Sequence, residues 1–359
     1  MINRSQQPSH WLSRFQNIYP VVSAILFSLL TTQAISAEQS ASAPSPIPVF
    51  QTTSDLVLLD TLVSQRKTGL LDTHLTASDF SLDEDGAPQQ IRYFSQDKLP
   101  LSIVLMFDLT DSVRPMLKPL ARSALAALQH LRPQDQVAVM TFSSSAQLIQ
   151  PFTTDRAAVA AAIQRASEEK SGEATFLDED VYEGAQEAQR ATIPNSRRVL
   201  VFFTDGTANS TATLVRKIAG KHAPAYLHTR AETRQKLLQS NVVVAALIDR
   251  PVGMTVLYRA LDLSPASLAM GAEARLDDIA RYAADTGGPV LHSNARQAAA
   301  KLATLLDELR LRYTLGYTPS TAKPPGSFCK ITLRFTPAAV AAHPQLRHDE
   351  IRTRTGYYR

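Results

Sequence analysis

Between residues 100 and 311, two kinds of apolar segment alternate along the chain. Short continuous runs such as Leu101–Leu109 and Val242–Asp249 are typical of strands buried on both faces. Longer segments with apolar side chains at every third or fourth position, such as Pro115–Leu131, predict amphipathic helices. Strands joined by helices imply a mostly parallel sheet with helices on both faces. The pattern therefore predicts an α/β, doubly wound fold.

The same pattern places the remaining elements of this sheet. Further strands are predicted at Gln136–Phe142, Ala146–Phe152, Arg197–Asp205 and, as a short strand, at Val290. Further helices are predicted near residues 155–167, 178–191, 276–285 and 296–311.

On either side of this region the pattern is β-like. Asp55–Val63 has the length of a strand, and Phe80, Leu82, Ile91, Tyr93 and Phe94 flank the turn at residues 83–86, which predicts a hairpin. Tyr313–Tyr317 and Lys330–Phe335 predict strands near the end of the chain. We expect these to return and pair with the first β segment. The predicted organisation is a small β domain from residues 51–98 and 312–359, interrupted by an α/β domain at 99–311.

The first fifty residues predict export. Arg4 and Arg14 precede the apolar run Val21–Leu30, which suits a signal peptide and is short for a membrane span. Residues 1–37 are therefore interpreted as a signal peptide and residues 38–50, rich in Ala, Ser and Pro, as a linker. The alternative is an uncleaved N-terminal anchor. In both cases the rest of the chain lies outside the cytoplasm, in the periplasm or the extracellular space, and after cleavage no stable membrane insertion is expected.

Composition narrows the classes of partner. Of 359 residues, 44% are hydrophobic and 19% charged, as in globular chains, and the net charge is +4. Lys and Arg are scattered, so a nucleic-acid partner is not indicated. Cys329 is the sole cysteine, which rules out an intramolecular disulfide.

Three polar loops carry the candidate chemistry. They are Asp108-Leu109-Thr110-Asp111-Ser112 after one predicted strand, Thr204-Asp205-Gly206 after another, and Ser171–Thr175 before a helix. Taken singly, the first is explained as a helix N-cap, the second as a turn and the third as an ordinary loop. Ligand crevices in open α/β sheets lie outside the carboxyl ends of the strands, where these loops are expected to meet.

From these loops, two carboxylates and three hydroxyls can be selected as one set of ligands. Oxygen ligands of this kind suit a hard cation such as Mg²⁺, with Mn²⁺ and Ca²⁺ as alternatives. Because hydroxyls carry no charge, such an ion stays electrophilic and accepts one more anionic ligand from outside. The predicted metal ligands are Asp108, Thr110, Ser112, Thr175 and Asp205.

In order and spacing, these five residues resemble the metal-ion-dependent adhesion site of von Willebrand factor type A (VWFA) domains. The resemblance implies a Rossmann-like fold, Mg²⁺ held by the hydroxyls with the aspartates acting directly or through water, and a protein ligand that offers an acidic side chain. Thr110 stands where the family usually has Ser. Asp111 and Ala174 replace the small residue or Gly that is typical at their positions.

A second resemblance covers residues 50–359. Residues 55–97, Tyr313–Pro319 and Thr355–Tyr358 are similar to a family of bacterial VWFA-related proteins described mainly from Acidobacteria. The export signal and the resemblance to the adhesion site together predict an exported, non-enzymatic binding protein that functions in adhesion, while the second resemblance adds little about function.

Two other functions are weighed against this one. A hydrolase is disfavoured because the chain contains neither a Gly-x-Ser-x-Gly elbow nor a His-Glu-x-x-His motif, and His222 and His228 are predicted to be solvated surface residues. A structural scaffold of the cell envelope with a vestigial metal site is the main alternative, which Asp111 and Ala174 favour.

Overall fold

The computed structural model describes residues 56–96, 98–170, 175–206, 220, 227–249, 278–294 and 297–359. All of them belong to one compact unit, residues 53–359. The predicted signal peptide, the linker, residues 171–174 and His222 lie outside the described residues. Within the described ranges, no helix combines the length and the hydrophobicity needed to cross a membrane.

The secondary-structure elements are numbered along the chain. The strands are β1 (Val57–Gln65), β2 (Phe80–Glu84), β3 (Ala87–Gln89), β4 (Tyr93–Ser95), β5 (Leu101–Asp108), β6 (Gln136–Phe142), β7 (Ala146–Thr153), β8 (Arg197–Thr204), β9 (Val242–Asp249), β10 (Val290–Ser293), β11 (Tyr313–Tyr317), β12 (Phe328–Phe335), β13 (Asp349–Arg352) and β14 (Gly356–Tyr358). The helices are α1 (Arg114–Ala127), α2 (Arg156–Glu168), α3 (Leu177–Gln189), α4 (Arg230–Ser240), α5 (Asp278–Thr286), α6 (Ala298–Arg310) and α7 (Pro337–Ala342). Short 3₁₀ turns cover Ala77–Asp79, Leu128–His130 and Pro344–His348.

The six-stranded sheet at the centre of the fold has the order β10-β9-β8-β5-β6-β7. Five of its strands are parallel, and β7 pairs antiparallel with β6 at one edge. Its central strand β5 is buried along its whole length, which explains its unbroken apolar run. The doubly wound α/β architecture predicted from the sequence is confirmed.

Helices cover both faces of this sheet. On one face α1, α2 and α6 pack against side chains such as Ile103, Phe107 and Val201. On the other face α3, α4 and α5 pack against the alternate positions, including Val104, Met106 and Phe202. Alternation along the strands thus divides the apolar side chains between two cores, which is why the strand sequences show no polar face.

Helix α2 begins with a well-formed cap, which supplies a test of local stability. The Asp155 carboxylate accepts hydrogen bonds from the backbone N–H groups of Ala157 and Ala158, at 2.8 and 3.2 Å. We expect Asp155→Ala to lower the free energy of unfolding by about 1 kcal/mol, because two N–H groups lose their acceptor. Urea unfolding measures this loss, and Asp155→Ser, which keeps an acceptor oxygen, should restore most of it. Equal losses in both variants would contradict the capping role.

The N- and C-terminal β segments form two four-stranded sheets, of order β13-β1-β11-β4 and β14-β12-β2-β3. Strand β1 pairs antiparallel with β11 and β13, and β2 pairs antiparallel with β12. The two sheets share one apolar core, in which Phe80 from β2 contacts Tyr313 from β11 with ring centroids 6.0 Å apart. The early and late β segments therefore pair with one another, while the domain boundaries at residues 98 and 311 stay a prediction.

The hairpin near residue 85 differs from the prediction. The turn consists of Asp85 and Gly86 alone, both with positive φ, and the returning strand is β3. Tyr93 and Phe94, predicted to lie in the hairpin, belong to β4 and pair with β11 in the other sheet. An Asp-Gly pair readily occupies the two central positions of a type I′ turn, so the chain reverses earlier than the apolar pattern alone suggests.

Candidate metal centre

Asp108 is the last residue of β5, and its carboxylate organises the loop that follows. One oxygen, Oδ1, accepts hydrogen bonds from the backbone N–H and the hydroxyl of Thr110, at 2.9 and 2.6 Å. The Thr110 and Ser112 hydroxyl oxygens are 3.2 Å apart. The three side chains of the Asp-x-Thr-x-Ser segment are therefore brought together at the carboxyl end of β5.

These side chains are not used to cap the following helix. The N-cap of α1 is Val113, and no side chain accepts a hydrogen bond there. Instead the carbonyl oxygen of Thr110 accepts hydrogen bonds from the N–H groups of Val113 and Arg114. Because Thr110 gives its hydroxyl proton to Asp108, its oxygen acts only as an acceptor, toward Ser112 and one further partner. The N-cap explanation of this segment is thereby excluded.

The loop after β8 reaches the same carboxylate. The Thr204 hydroxyl donates to Oδ2 of Asp108 at 2.6 Å and accepts from the N–H of Gly206 at 3.0 Å. Thr204 thus links the turn after β8 to Asp108. Asp205 is buried, and its charge raises the pKa of Asp108. The ends of β5 and β8, which are neighbours in the sheet, therefore bring Asp108 and Asp205 into electrostatic contact.

Thr175 supplies the fifth predicted ligand from the segment before α3. Its side chain is buried, and within the described residues its hydroxyl makes no hydrogen bond. It does not cap α3, whose N-cap is Phe176 and has no side-chain cap. A buried hydroxyl without a partner costs about 1–3 kcal/mol, so a hard cation is a chemically suitable partner.

The five predicted ligands differ in their exposure to solvent. Asp108, Thr110, Thr175 and Asp205 are buried, whereas Ser112 is exposed. An ion held among them would have its open side at Ser112. The side chains present therefore fit a hard cation with one side accessible to an external ligand.

Without a cation nearby, the surroundings of Asp108 disfavour the ionised form of its carboxyl group. Burial raises the pKa of this carboxyl to about 6, and Asp205 adds to the effect. The hydrogen bonds from Thr110 and Thr204 oppose the shift without cancelling it. A divalent cation would favour the ionised form, as an opposite charge nearby does.

A further carboxylate lies at the same edge of the sheet. Asp180, in the first turns of α3, is fully buried, and within the described residues neither of its oxygens has a hydrogen-bond partner. Burial raises its pKa well above the usual range, and Asp108 is the charge that adds most to that rise. Asp180 and Thr204 were not among the residues predicted from the sequence. The run of acids Asp178–Asp180 at the start of an apolar helix was the available signal for Asp180.

His228, predicted to be a solvated surface residue, has a side chain that is 30% exposed and also packs against α3. Its ring stacks on Tyr182 with centroids 3.5 Å apart, and its Nδ1 lies 2.9 Å from a carboxylate oxygen of Glu179. The backbone N–H of His228 donates to the same oxygen at 2.8 Å. These contacts place His228 against α3, where it serves to anchor the chain ahead of α4.

A group of potential ligands elsewhere is explained by the fold. In the described part of the chain, Glu84, Asp85 and Cys329 are the one set of three acidic, His or Cys residues with ligand atoms within 4.8 Å of one another. The Glu84 carboxylate accepts hydrogen bonds from the hydroxyls of Tyr317 and Tyr357. Asp85 forms an ion pair with Lys323 at 2.6 Å and sits in the hairpin turn. Both carboxylates already have partners outside the cluster, so it offers no argument for a metal.

Several solved structures are distantly similar to parts of this chain. BatB from Bacteroides thetaiotaomicron is 16% identical over 58% of this chain and 98% of its own, with a TM-score of 0.37. A von Willebrand factor type A protein from Catenulispora acidiphila is 12% identical, covers 80% of this chain and 72% of its own, and has a TM-score of 0.40. The vWF domain of the type V pili tip protein Mfa5 from Porphyromonas gingivalis is 11% identical over 58% and 96%, with a TM-score of 0.39. We draw no functional conclusion from likenesses this distant.

Comparison of sequences is more specific. No curated protein matches the chain significantly. The family model for the von Willebrand factor type A domain matches residues 103–207, which begin in β5 and end just after Asp205. This range includes all five predicted metal ligands. The chain therefore contains a von Willebrand factor type A domain.

Proposed function

We propose that this chain is an exported, non-enzymatic binding protein whose VWFA domain holds a divalent cation, Mg²⁺ first among the candidates. Asp108, Thr110, Ser112, Thr175 and Asp205 are the proposed ligands. The ion in turn binds an acidic side chain of a partner protein. In this mechanism the five side chains of this chain would position the cation and balance part of its charge, and the cation would supply the electrophilic centre.

The buried hydroxyl of Thr175, which has no hydrogen-bond partner among the described residues, carries this proposal. It is buried, it does not cap α3, and it belongs to the same motif as the hydroxyls of Thr110 and Ser112. A vestigial site would be expected to bury apolar side chains here or to satisfy the hydroxyl internally, because unsatisfied buried groups are costly. Exposure of Ser112 supports a partner that approaches the ion from that side.

Asp108 and Thr110 prepare the site before the ion arrives. The Thr110 proton is held by Asp108, so the Thr110 oxygen presents lone pairs and no proton to the cation. Thr204 holds the other carboxylate oxygen through its hydroxyl and so fixes the rotation of the Asp108 side chain. Preorganisation of this kind reduces the ordering that binding must otherwise supply.

Metal-dependent stabilisation is the first test. A cation that binds only the folded state, present at a hundredfold excess over its Kd, should raise the free energy of unfolding by about 2.7 kcal/mol. Thermal unfolding of the mature chain in Mg²⁺ or Mn²⁺, compared with chelator, measures this rise. The envelope-scaffold alternative predicts the same melting curve in both conditions, and that result would refute the proposed function.

Partner binding is tested separately. A pull-down from envelope extracts in Mg²⁺ should retain a protein that is released by chelator. The Asp108→Asn variant of this protein serves as the matched bait, and it should not retain the partner protein. A partner that both baits hold equally, with or without metal, would contradict binding through the ion.

A further inference from the structure

The face of α3 that packs on the sheet continues into the metal site. Gly184 lies on this face, since a Cβ there would sit 3.2 Å from Leu200 and 3.3 Å from the sulfur of Met106. Asp180 precedes Gly184 by four residues and therefore lies on the same face, one turn closer to the start of the helix. The sheet-facing side of α3 thus ends in a carboxylate.

The direction of α3 places Asp180 at the carboxyl ends of the strands. The helix begins where the N–H of Phe176 donates to the carbonyl of Ser143, the residue after β6. Four helical residues advance about 6 Å, which equals about two residues along a strand. Two residues beyond Met106 on β5 is Asp108. This position agrees with Asp108 being the charge that acts most strongly on Asp180.

Among the described residues, the neighbouring acids have hydrogen-bond partners and Asp180 has none. Asp178 accepts a hydrogen bond from the Tyr282 hydroxyl at 2.7 Å, and Glu179 binds His228 at 2.9 Å. Both Asp180 oxygens are buried without a donor among the described residues. A buried carboxylate in this position requires a cation or a proton, because ionised groups are not kept in the interior unpaired.

We propose that Asp180 is a third carboxylate of the cation site, facing the ion directly or through one water molecule. This inference rests on the proposed function, since it assumes that the cation binds. With Asp108 and Asp205, a third carboxylate gives the occupied site one net negative charge, where two carboxylates would leave it neutral. A cation there would be held more firmly in the absence of a partner than by two carboxylates alone.

The test is a calorimetric titration with Mn²⁺ and with Mg²⁺ at pH 7.5. Asp180→Asn keeps the size of the side chain and removes its charge, and should weaken metal binding by about 10- to 100-fold, as loss of a supporting ligand typically does. Glu183→Gln removes a charge from the same helix one turn further along, where Glu183 interacts with Glu179 and His228. The metal affinity of this control should stay within about threefold of that of the parent protein, well below the loss expected for Asp180→Asn.

A second readout does not depend on metal. In chelator, Asp180→Asn should melt no lower than the parent, because it removes a buried charge that has no hydrogen-bond donor among the described residues. If the Asn variant fails to fold, Asp180→Ala, which leaves no polar atom to satisfy, takes its place in the titration.

The outcomes separate the two ideas. Metal binding by the parent with unchanged affinity in Asp180→Asn would overturn the role of Asp180 and leave the proposed function standing. Equal weakening in Asp180→Asn and Glu183→Gln would assign the effect to helix charge and also overturn it. No metal binding by the parent protein would refute both.

Discussion

Asp60→Asn should lower the free energy of unfolding by about 3–5 kcal/mol, the usual cost of removing one partner of a buried ion pair. Asp60 lies on β1, and one of its oxygens accepts hydrogen bonds from Nε and Nη2 of Arg197 at 3.0 and 2.9 Å. The Arg197 side chain is fully buried at the start of β8. Without the carboxylate, this guanidinium keeps a neutral acceptor only, and its charge is left uncompensated.

A second arginine raises the cost. Arg312 is fully buried, and its Nη2 donates to the carbonyl oxygens of Asp60 and Gly287. Burial lowers its pKa to about 10, and the charge of Asp60 works against that shift. The carboxylate of Asp60 therefore stabilises two cations where β1, β8 and the start of β11 meet.

The pH dependence has a defined sign. Burial tends to raise the pKa of Asp60, but Arg197, with help from Arg312 and Arg354, brings it below the usual range. A lowered pKa in the folded state contributes stability that is present above the unfolded value, about 3.9, and is lost as pH falls through the folded value. We expect Asp60→Asn to remove this part of the acid dependence.

Chemical denaturation at pH 7 and at acidic pH measures both effects. Asp83→Asn is the matched control, since Asp83 pairs at 2.9 Å with Arg334, whose side chain is 64% exposed. Such surface pairs contribute about 1 kcal/mol or less. A loss in Asp60→Asn no larger than in Asp83→Asn would show that the cluster does not hold the two parts of the fold together.

Asp108→Asn should abolish the metal-dependent stabilisation of the protein, the second large effect. The ion would lose one of its carboxylates at the residue that organises both adjoining loops. The rise of about 2.7 kcal/mol expected in excess Mg²⁺ should therefore disappear. In chelator the variant should remain folded, because the amide oxygen still accepts from one of the threonines.

Asp111→Asn is the control on the same loop. Asp111 is exposed and lies between the two hydroxyl residues of the motif. Removing its charge should leave most of the metal-dependent rise in melting temperature intact. If Asp108→Asn kept the rise and Asp111→Asn lost it, the ligand set proposed for the cation would be wrong.

The strands and helices of the central sheet follow closely from the sequence. Predicted strands Gln136–Phe142 and Val242–Asp249 match the structure end to end, because buried parallel strands leave an unbroken apolar run. The helix predicted at residues 115–131 is observed as α1, ending at Ala127 and followed by a 3₁₀ turn. Its end is decided by local backbone geometry that apolar spacing does not report.

For the candidate site, the sequence identifies the ligand residues, and the folded structure adds their contacts. The order Asp-x-Thr-x-Ser, Thr and Asp, placed after strands, identifies Asp108, Thr110, Ser112, Thr175 and Asp205 as candidates, since strand ends in a parallel sheet share one edge. What each side chain contacts is a tertiary property. That Thr110 donates to Asp108 and leaves α1 uncapped is visible only in the folded chain.

Two features were decided by tertiary structure alone. Asp180 looks like a favourable acid at a helix start, and only the packing of α3 over Met106 brings it within the electrostatic influence of Asp108. Asp60 and Arg197 are 137 residues apart in sequence, and neither has a local pattern that marks it. Periodicity determined which faces are buried, because burial repeats with the local geometry of the chain. Which charged side chains form pairs depends on how distant segments pack, and no local sequence pattern indicates those pairs.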